Sequence, residues 1–152
     1  MHADRSFDEG ETPPPEGDIT LDVTISLIID GARTLHLPVR FTYDPHFPFA
    51  VTLEIPKADG GLNRWFFARD LLQAGLLRPS GEGDIRIWPP CRCSGRPHVR
   101  MRLRDSFASA LLDIPARPLW EWLQLTWQAV PREDECRWSD RHISIEKLFS
   151  DS

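Results

Sequence analysis

The chain has 152 residues and a formal net charge of −5 at neutral pH. That length suits one domain, and a domain of this size buries about 70% of its unfolded surface, so it needs no staples to fold. The charge is uneven: residues 1–20 carry six carboxylates and one arginine, while the rest balances 17 acids against 17 bases. A balanced body is neither a basic nucleic-acid platform nor an acidic mimic. Three cysteines, Cys91, Cys93 and Cys136, are too few and odd in number for a disulfide framework; they point to a reducing compartment, with Cys91 and Cys93 as free thiols in a surface loop. The N-terminus has no apolar core of a secretory signal, and no apolar run approaches the ~18 residues needed to cross a bilayer. A cytoplasmic protein without membrane insertion is expected.

Residues 1–17 read as an acidic tail rich in proline and glycine, with Pro13-Pro14-Pro15, whose composition cannot offset the entropy of ordering. Residues 18–152 read as a single domain. From Ile19 the pattern alternates: Ile19, Leu21, Val23, Ile25, Leu27 and Ile29 share one face, as in a half-buried strand. Asp30-Gly31 is a hairpin turn signal. The returning strand carries Leu35, Leu37, Val39, Phe41 and Tyr43, and Pro38 within it predicts an edge or a bulge. A third strand spans Phe49 to Ile55, and Asp59-Gly60-Gly61 turns into an aromatic strand at Trp65-Phe66-Phe67. A short helix follows from Arg69 to Ala74, stopped by Gly75 in a left-handed conformation. Pro79 to Asp84 form a turn before the strand Ile85–Trp88. After an irregular loop from Cys91 to Pro97, Val99, Met101 and Leu103 point inward on a strand and Arg100, Arg102 and Arg104 outward. Phe107 to Leu112 read as a further strand. Pro118 suits the first turn of a helix of about ten residues, which Pro131 ends. A last short helix holds Ile145, Leu148 and Phe149. The fold class is α+β: antiparallel sheet packed with a few helices.

Chemistry is sparse. Gly81-x-Gly83 precedes a strand, whereas a phosphate cradle needs a helix N-terminus, so it is a turn. Cys91-x-Cys93 with His98 and Cys136 has ligand types for zinc, but structural sites use wider cysteine pairs, so loop cysteines are expected, with no metal and no cofactor. No histidine or carboxylate falls in a catalytic pattern, so the chain is not expected to be an enzyme. Two surfaces remain. Arg100, Arg102 and Arg104 line one strand face, which is a candidate single-strand nucleic-acid platform or a solvated face guarded by charge. On the helix after Pro118, a core stripe through Leu119, Leu123, Trp127 and Val130 is flanked by Trp120 and Thr126 and leaves Trp122 about 100° and Leu125 about 160° off its centre. Both then point away from the core, as a covered face or a protein-binding contact.

Several segments together resemble a known family. Leu37-Pro38-Val39-Arg40-Phe41, Pro48-Phe49-Ala50-Val51, Phe67-Ala68-Arg69-Asp70-Leu71-Leu72, Gly75-Leu76, Pro79-x-Gly81-x-Gly83-Asp84, Trp88-Pro89, Leu103-x-x-Ser106 and Val130-Pro131 follow the order and spacing of the SsgA-like sporulation and cell-division regulators of actinobacteria. The resemblance runs roughly from Leu35 to Glu135. It implies a whirly-like fold of antiparallel sheets with helices, typically assembled as a homotrimer. It implies a non-enzymatic regulator or adaptor of sporulation-specific cell division, in the cytoplasm at the septum. Its partner would be a division-machinery protein such as the tubulin-like FtsZ, or a family paralogue. Two other readings stand beside it: a single-stranded nucleic-acid-binding module using Arg100, Arg102 and Arg104, and a small-ligand or metal-binding β domain.

Overall fold

The computed structural model describes residues 17–91 and 97–135. The expected tail, and the helix expected around Ile145, Leu148 and Phe149, lie outside the described residues, Gly17 excepted. Seven strands form one antiparallel sheet: β1 (Ile19–Ile28), β2 (Thr34–Tyr43), β3 (Ala50–Pro56), β4 (Leu62–Ala68), β5 (Ile85–Trp88), β6 (His98–Arg104) and β7 (Ser109–Pro115). Their order is β4-β3-β2-β1-β7-β6-β5. Helix α1 (Arg69–Gly75) follows β4 and α2 (Ala116–Ala129) follows β7. The expected α+β antiparallel class is the one observed.

β4 and β5 are the two edges of this sheet, yet only α1 and a short turn join them, and α1 packs on both. The sheet therefore curls, and its inner face closes on one core. Phe41, Val51, Leu53, Leu72, Ile87, Val99, Met101, Leu103, Leu112, Ile114, Leu119 and Leu123 are buried there. Each such aliphatic or aromatic side chain contributes about 1.5–3 kcal/mol on leaving water. The alternation expected for β1 and β2 is the register observed, with Val23 opposite Val39 and Ile25 opposite Leu37.

Some local expectations give way to different physics. Gly75 does not take a left-handed conformation; Gly17, Gly60 and Gly81 are the described glycines that do. Gly75 is required by contact instead, because a Cβ there would lie 2.4 Å from Ile87 Cγ2. Its missing side chain lets α1 lie against edge strand β5. β2 is not an edge strand, since β1 and β3 flank it. β3, however, pairs only with Arg40, Phe41 and Thr42, so Pro38 falls where that ladder has already ended. β7 begins at Ser109, not Phe107. Asp105 accepts the backbone N–H groups of Phe107 and Ala108 at 2.8 and 2.9 Å, which makes that segment a tight turn and leaves Phe107 95% exposed.

Candidate functional site

α2 is longer than expected, with 14 residues. It begins without a side-chain cap, and Pro118 sits in its first turn, where a missing N–H costs nothing. It ends as Val130 turns extended before Pro131. Its buried residues are Ala116, Leu119, Trp122, Leu123 and Thr126, followed by Val130. This stripe is rotated from the expected one. Trp122 is 2% exposed, donates its indole N–H to the Ile19 carbonyl at 3.0 Å and packs 5.7 Å from the Phe41 ring centroid. The expectation that Trp122 points away from the core is thus overturned: its ring fills the space between α2 and β1–β2, and it offers no surface to a partner. Leu125 does point outward and is 52% exposed. Trp120, which the sequence reading set beside the core stripe, is 40% exposed.

The rotation has a cause in Arg69. Its side chain is fully buried. Its guanidinium donates to the Thr126 carbonyl at 2.9 Å and to Glu135 at 2.7 Å. It stacks 3.6 Å from the Trp127 ring centroid and 4.6 Å from that of Tyr43. Arg132 stacks on Trp127 too, at 4.5 Å, and is itself paired with Asp70. Trp127 also donates its N–H to Gln73 at 2.9 Å. Thr126 therefore faces the core, its hydroxyl bonded to the Leu123 carbonyl at 2.7 Å, and Trp127 lies half-buried at the flank. Burial pushes the Tyr43 phenol far above its ordinary pKa; the hydroxyl donates to the Pro48 carbonyl at 3.0 Å. These contacts lock α1, α2, β2 and residues 132–135 together, so the outer face of α2 is held rigidly.

That outer face is polar along Arg117, Glu121 and Gln128, framed on its two sides by Trp120 and Leu125. Trp120 also borders an open cavity of about 450 Å³ lined by Leu76, Pro90, Pro97, Ala116, Arg117 and Glu121. The arrangement suits docking of an apolar side chain.

The expected basic strand face is present on β6, but it is not uniformly basic. Asp113 holds Arg100 by two hydrogen bonds, at 2.8 and 2.9 Å, which raises the arginine's pKa further. Arg102 faces Arg86 across the β5–β6 ladder, and Arg104 is exposed near the strand's end. A larger open cavity of about 920 Å³ lies on this face, lined by Trp88, Pro89, Cys91, His98, Arg100, Leu111 and Asp113. Among the described residues no group of three or more histidines, cysteines and carboxylates is placed to hold a metal. Cys91 is disulfide-bonded, contrary to the free thiol expected there: a low and odd cysteine count argues against a disulfide framework, not against a single bridge. Cys93 and Cys136 lie outside the described residues. No described helix is long and apolar enough to cross a membrane.

Comparison with known proteins places these features in a family. Residues 37–135 match the family model described as Streptomyces sporulation and cell division protein, SsgA. The chain is 34% identical to the sporulation-specific cell division protein SsgB of Streptomyces coelicolor, over 88% of this chain and 97% of that protein. It is also 34% identical to SsgB of Thermobifida fusca, over 87% and 95% of the two chains. Among solved structures, SsgB of Streptomyces coelicolor superposes with a TM-score of 0.75 at 35% identity, covering 80% of this chain and 95% of that one. The SsgA-like sporulation-specific cell division protein of Thermobifida fusca gives the same TM-score at 31% identity, covering 87% and 96%. The Arg69 cluster, α2 and strands β3 to β7 all fall inside residues 37–135, and the chain belongs to the SsgA family of sporulation and cell division proteins.

Proposed function

We propose that this protein is a non-enzymatic adaptor in sporulation-linked cell division, acting in the cytoplasm at the septum by docking on the division machinery. The names of its relatives support the setting. The observation that supports docking is the outer face of α2, where Leu125 and Trp120 stand exposed on a helix anchored by the buried Arg69. A partner's apolar side chain enters the notch beside Trp120, and a second contact covers Leu125. The partner is a division protein such as FtsZ or a family paralogue, and the protein acts as a homo-oligomer, a trimer by resemblance.

The test is imaging of a fluorescently labelled protein in sporulating cells, wild type beside Trp120→Ala and Leu125→Arg. Septal signal in the wild type that is lost in both folded variants is the expected result. Uniform signal in the wild type sinks the setting, and unchanged septal signal in the variants sinks the contact assignment.

A further inference from the structure

Three arginines on the outer face of the sheet follow one rule, and Arg86, Arg102 and the strand-end Arg104, which lies opposite Ser109, depart from it. Arg40 lies directly opposite Asp22, Arg64 opposite Glu54 and Arg100 opposite Asp113, and each forms an ion pair with that carboxylate. Arg86 lies opposite Arg102. Like charges facing each other across a ladder are destabilising, and among the described residues neither guanidinium has an ion-pair partner. Their Nε atoms are both buried and without a hydrogen bond. The hydrogen bond that Arg102 makes, to the Gly83 carbonyl, is 3.5 Å long. Two guanidinium groups on directly opposite ladder positions can receive a carboxylate or a phosphate. Apolar walls flank them: the Trp88 ring, 5.4 Å from the Arg86 guanidinium, and Leu111, opposite Arg102 on β7.

We propose that Arg86 and Arg102 form a carboxylate-binding site for the chain's own acidic N-terminal segment, residues 1–16. Charge complementarity carries the choice of occupant. The body of the chain is balanced, whereas the carboxylates Asp4, Asp8, Glu9, Glu11 and Glu16 crowd into this segment against the single Arg5. Phe7-Asp8-Glu9 sets an aromatic ring next to two carboxylates, matching a guanidinium pair next to Trp88. Nucleic acid fits less well, since it draws its affinity from many phosphates and the neighbouring Arg100 is already neutralised by Asp113. Reach is sufficient. Arg102 is level with the far end of β1, one step past the Leu27–Leu112 pair, roughly 30 Å along the strand from Ile19 and two strand spacings across. Sixteen extended residues span about 50 Å, enough to arrive from the same chain or from a neighbouring copy.

The test measures binding of a fluorescently labelled peptide of residues 1–16 to the full-length chain. In one version of the chain its own tail is neutralised by Asp4→Asn, Asp8→Asn, Glu9→Gln, Glu11→Gln and Glu16→Gln. The peptide should bind this protein, and weaken as salt rises from about 50 to 200 mM. Binding to the wild-type chain should be at least about tenfold weaker, because the tethered tail competes at high effective concentration. Adding Arg86→Gln and Arg102→Gln to the neutralised-tail protein should weaken binding by about tenfold or more; Arg86→Lys with Arg102→Lys, which keeps the charge and loses the forks, should fall between. Circular dichroism and thermal midpoints establish that each variant is folded. Peptide affinity unchanged by either arginine pair overturns the proposal, as does absence of binding up to about 1 mM. Arginine-dependent binding of single-stranded oligo(dT) without binding of the peptide overturns it in favour of nucleic acid.

Discussion

The Arg69 guanidinium and the Glu135 carboxylate meet at 2.7 Å, with side-chain exposures of 0% and 6%. This pair joins the start of α1 to the turn after α2, across 66 residues of sequence. Removing one partner strands the other charge out of water. Glu135→Ala should therefore destabilise the fold by about 3–5 kcal/mol, whereas replacing both with apolar residues, Arg69→Met with Glu135→Leu, should cost far less. Urea denaturation of the two variants decides this. A mild Glu135→Ala beside a severe double variant would show that the ion pair is not what holds the turn in place.

Trp122 is a stability residue, so its substitutions should be read in a denaturation curve. Trp122→Ala empties the space between α2 and β1–β2 and should cost about 3–5 kcal/mol. Trp122→Phe keeps most of the contact with Phe41 but gives up the bond to the Ile19 carbonyl, and should cost about 1 kcal/mol for the lost bond plus any packing mismatch. If Trp122→Ala leaves the urea midpoint unchanged, the indole is not buried as described.

Gly75 reverses an ordinary preference. In most helices a glycine-to-alanine change stabilises by about 1 kcal/mol. Here the new Cβ would lie 2.4 Å from Ile87 Cγ2 and 2.5 Å from Ile87 Cβ, and β5 cannot yield without disturbing its ladder with β6. Gly75→Ala should instead destabilise by about 1–3 kcal/mol, as overpacking does. A rise in thermal midpoint for this variant contradicts the close approach of α1 and β5.

How much of this was legible in the sequence depended on the kind of signal. The strands of the curled sheet were, because β1, β2 and β6 bury alternate residues and the period-two pattern is explicit. The turn at Asp105 was not: Phe107 looked like a strand residue because nothing in apolar pattern distinguishes a displayed aromatic from a buried one. The orientation of α2 was misread for a related reason. A periodicity argument weights Trp127 as core and Thr126 as flank, but the buried Arg69 takes the Thr126 carbonyl and holds Trp127 against its own guanidinium. A charged residue at a helix start carries no local mark of burial. The signal that could have found it was the abundance of tryptophan, six in the chain, able to stack on a guanidinium, together with a downstream glutamate. On the candidate docking face, Leu125 was legible and Trp120 was left beside the core, since a rotation of under one residue in the stripe exchanges the two flanks.

Three exposed aspartates should give the fold an acid-side dependence. An Arg40 hydrogen bond lowers the Asp22 pKa first of all, and backbone N–H groups, chiefly of Ala32 and of Phe107, lower those of Asp30 and Asp105. For each, the folded value lies below the unfolded one. Their stabilising effect is then complete above the ordinary aspartate pKa of about 3.9 and is lost as pH falls through the lowered folded values. Between about pH 5 and 7 these three groups should contribute no slope. NMR titration of the side-chain carboxyl carbons should place all three midpoints below the ordinary value, and urea midpoints should drop only at the acid end. Asp105→Asn keeps an oxygen acceptor for the Phe107 and Ala108 N–H groups, so the turn should persist while that residue's share of the acid-side loss disappears. Asp105→Ala removes the acceptor, and hydrogen exchange of the Phe107 and Ala108 amides should quicken at neutral pH. An Asp105 carboxyl titrating at or above the ordinary value, or amides indifferent to its removal, would show that the turn displaying Phe107 is held by something other than this carboxylate.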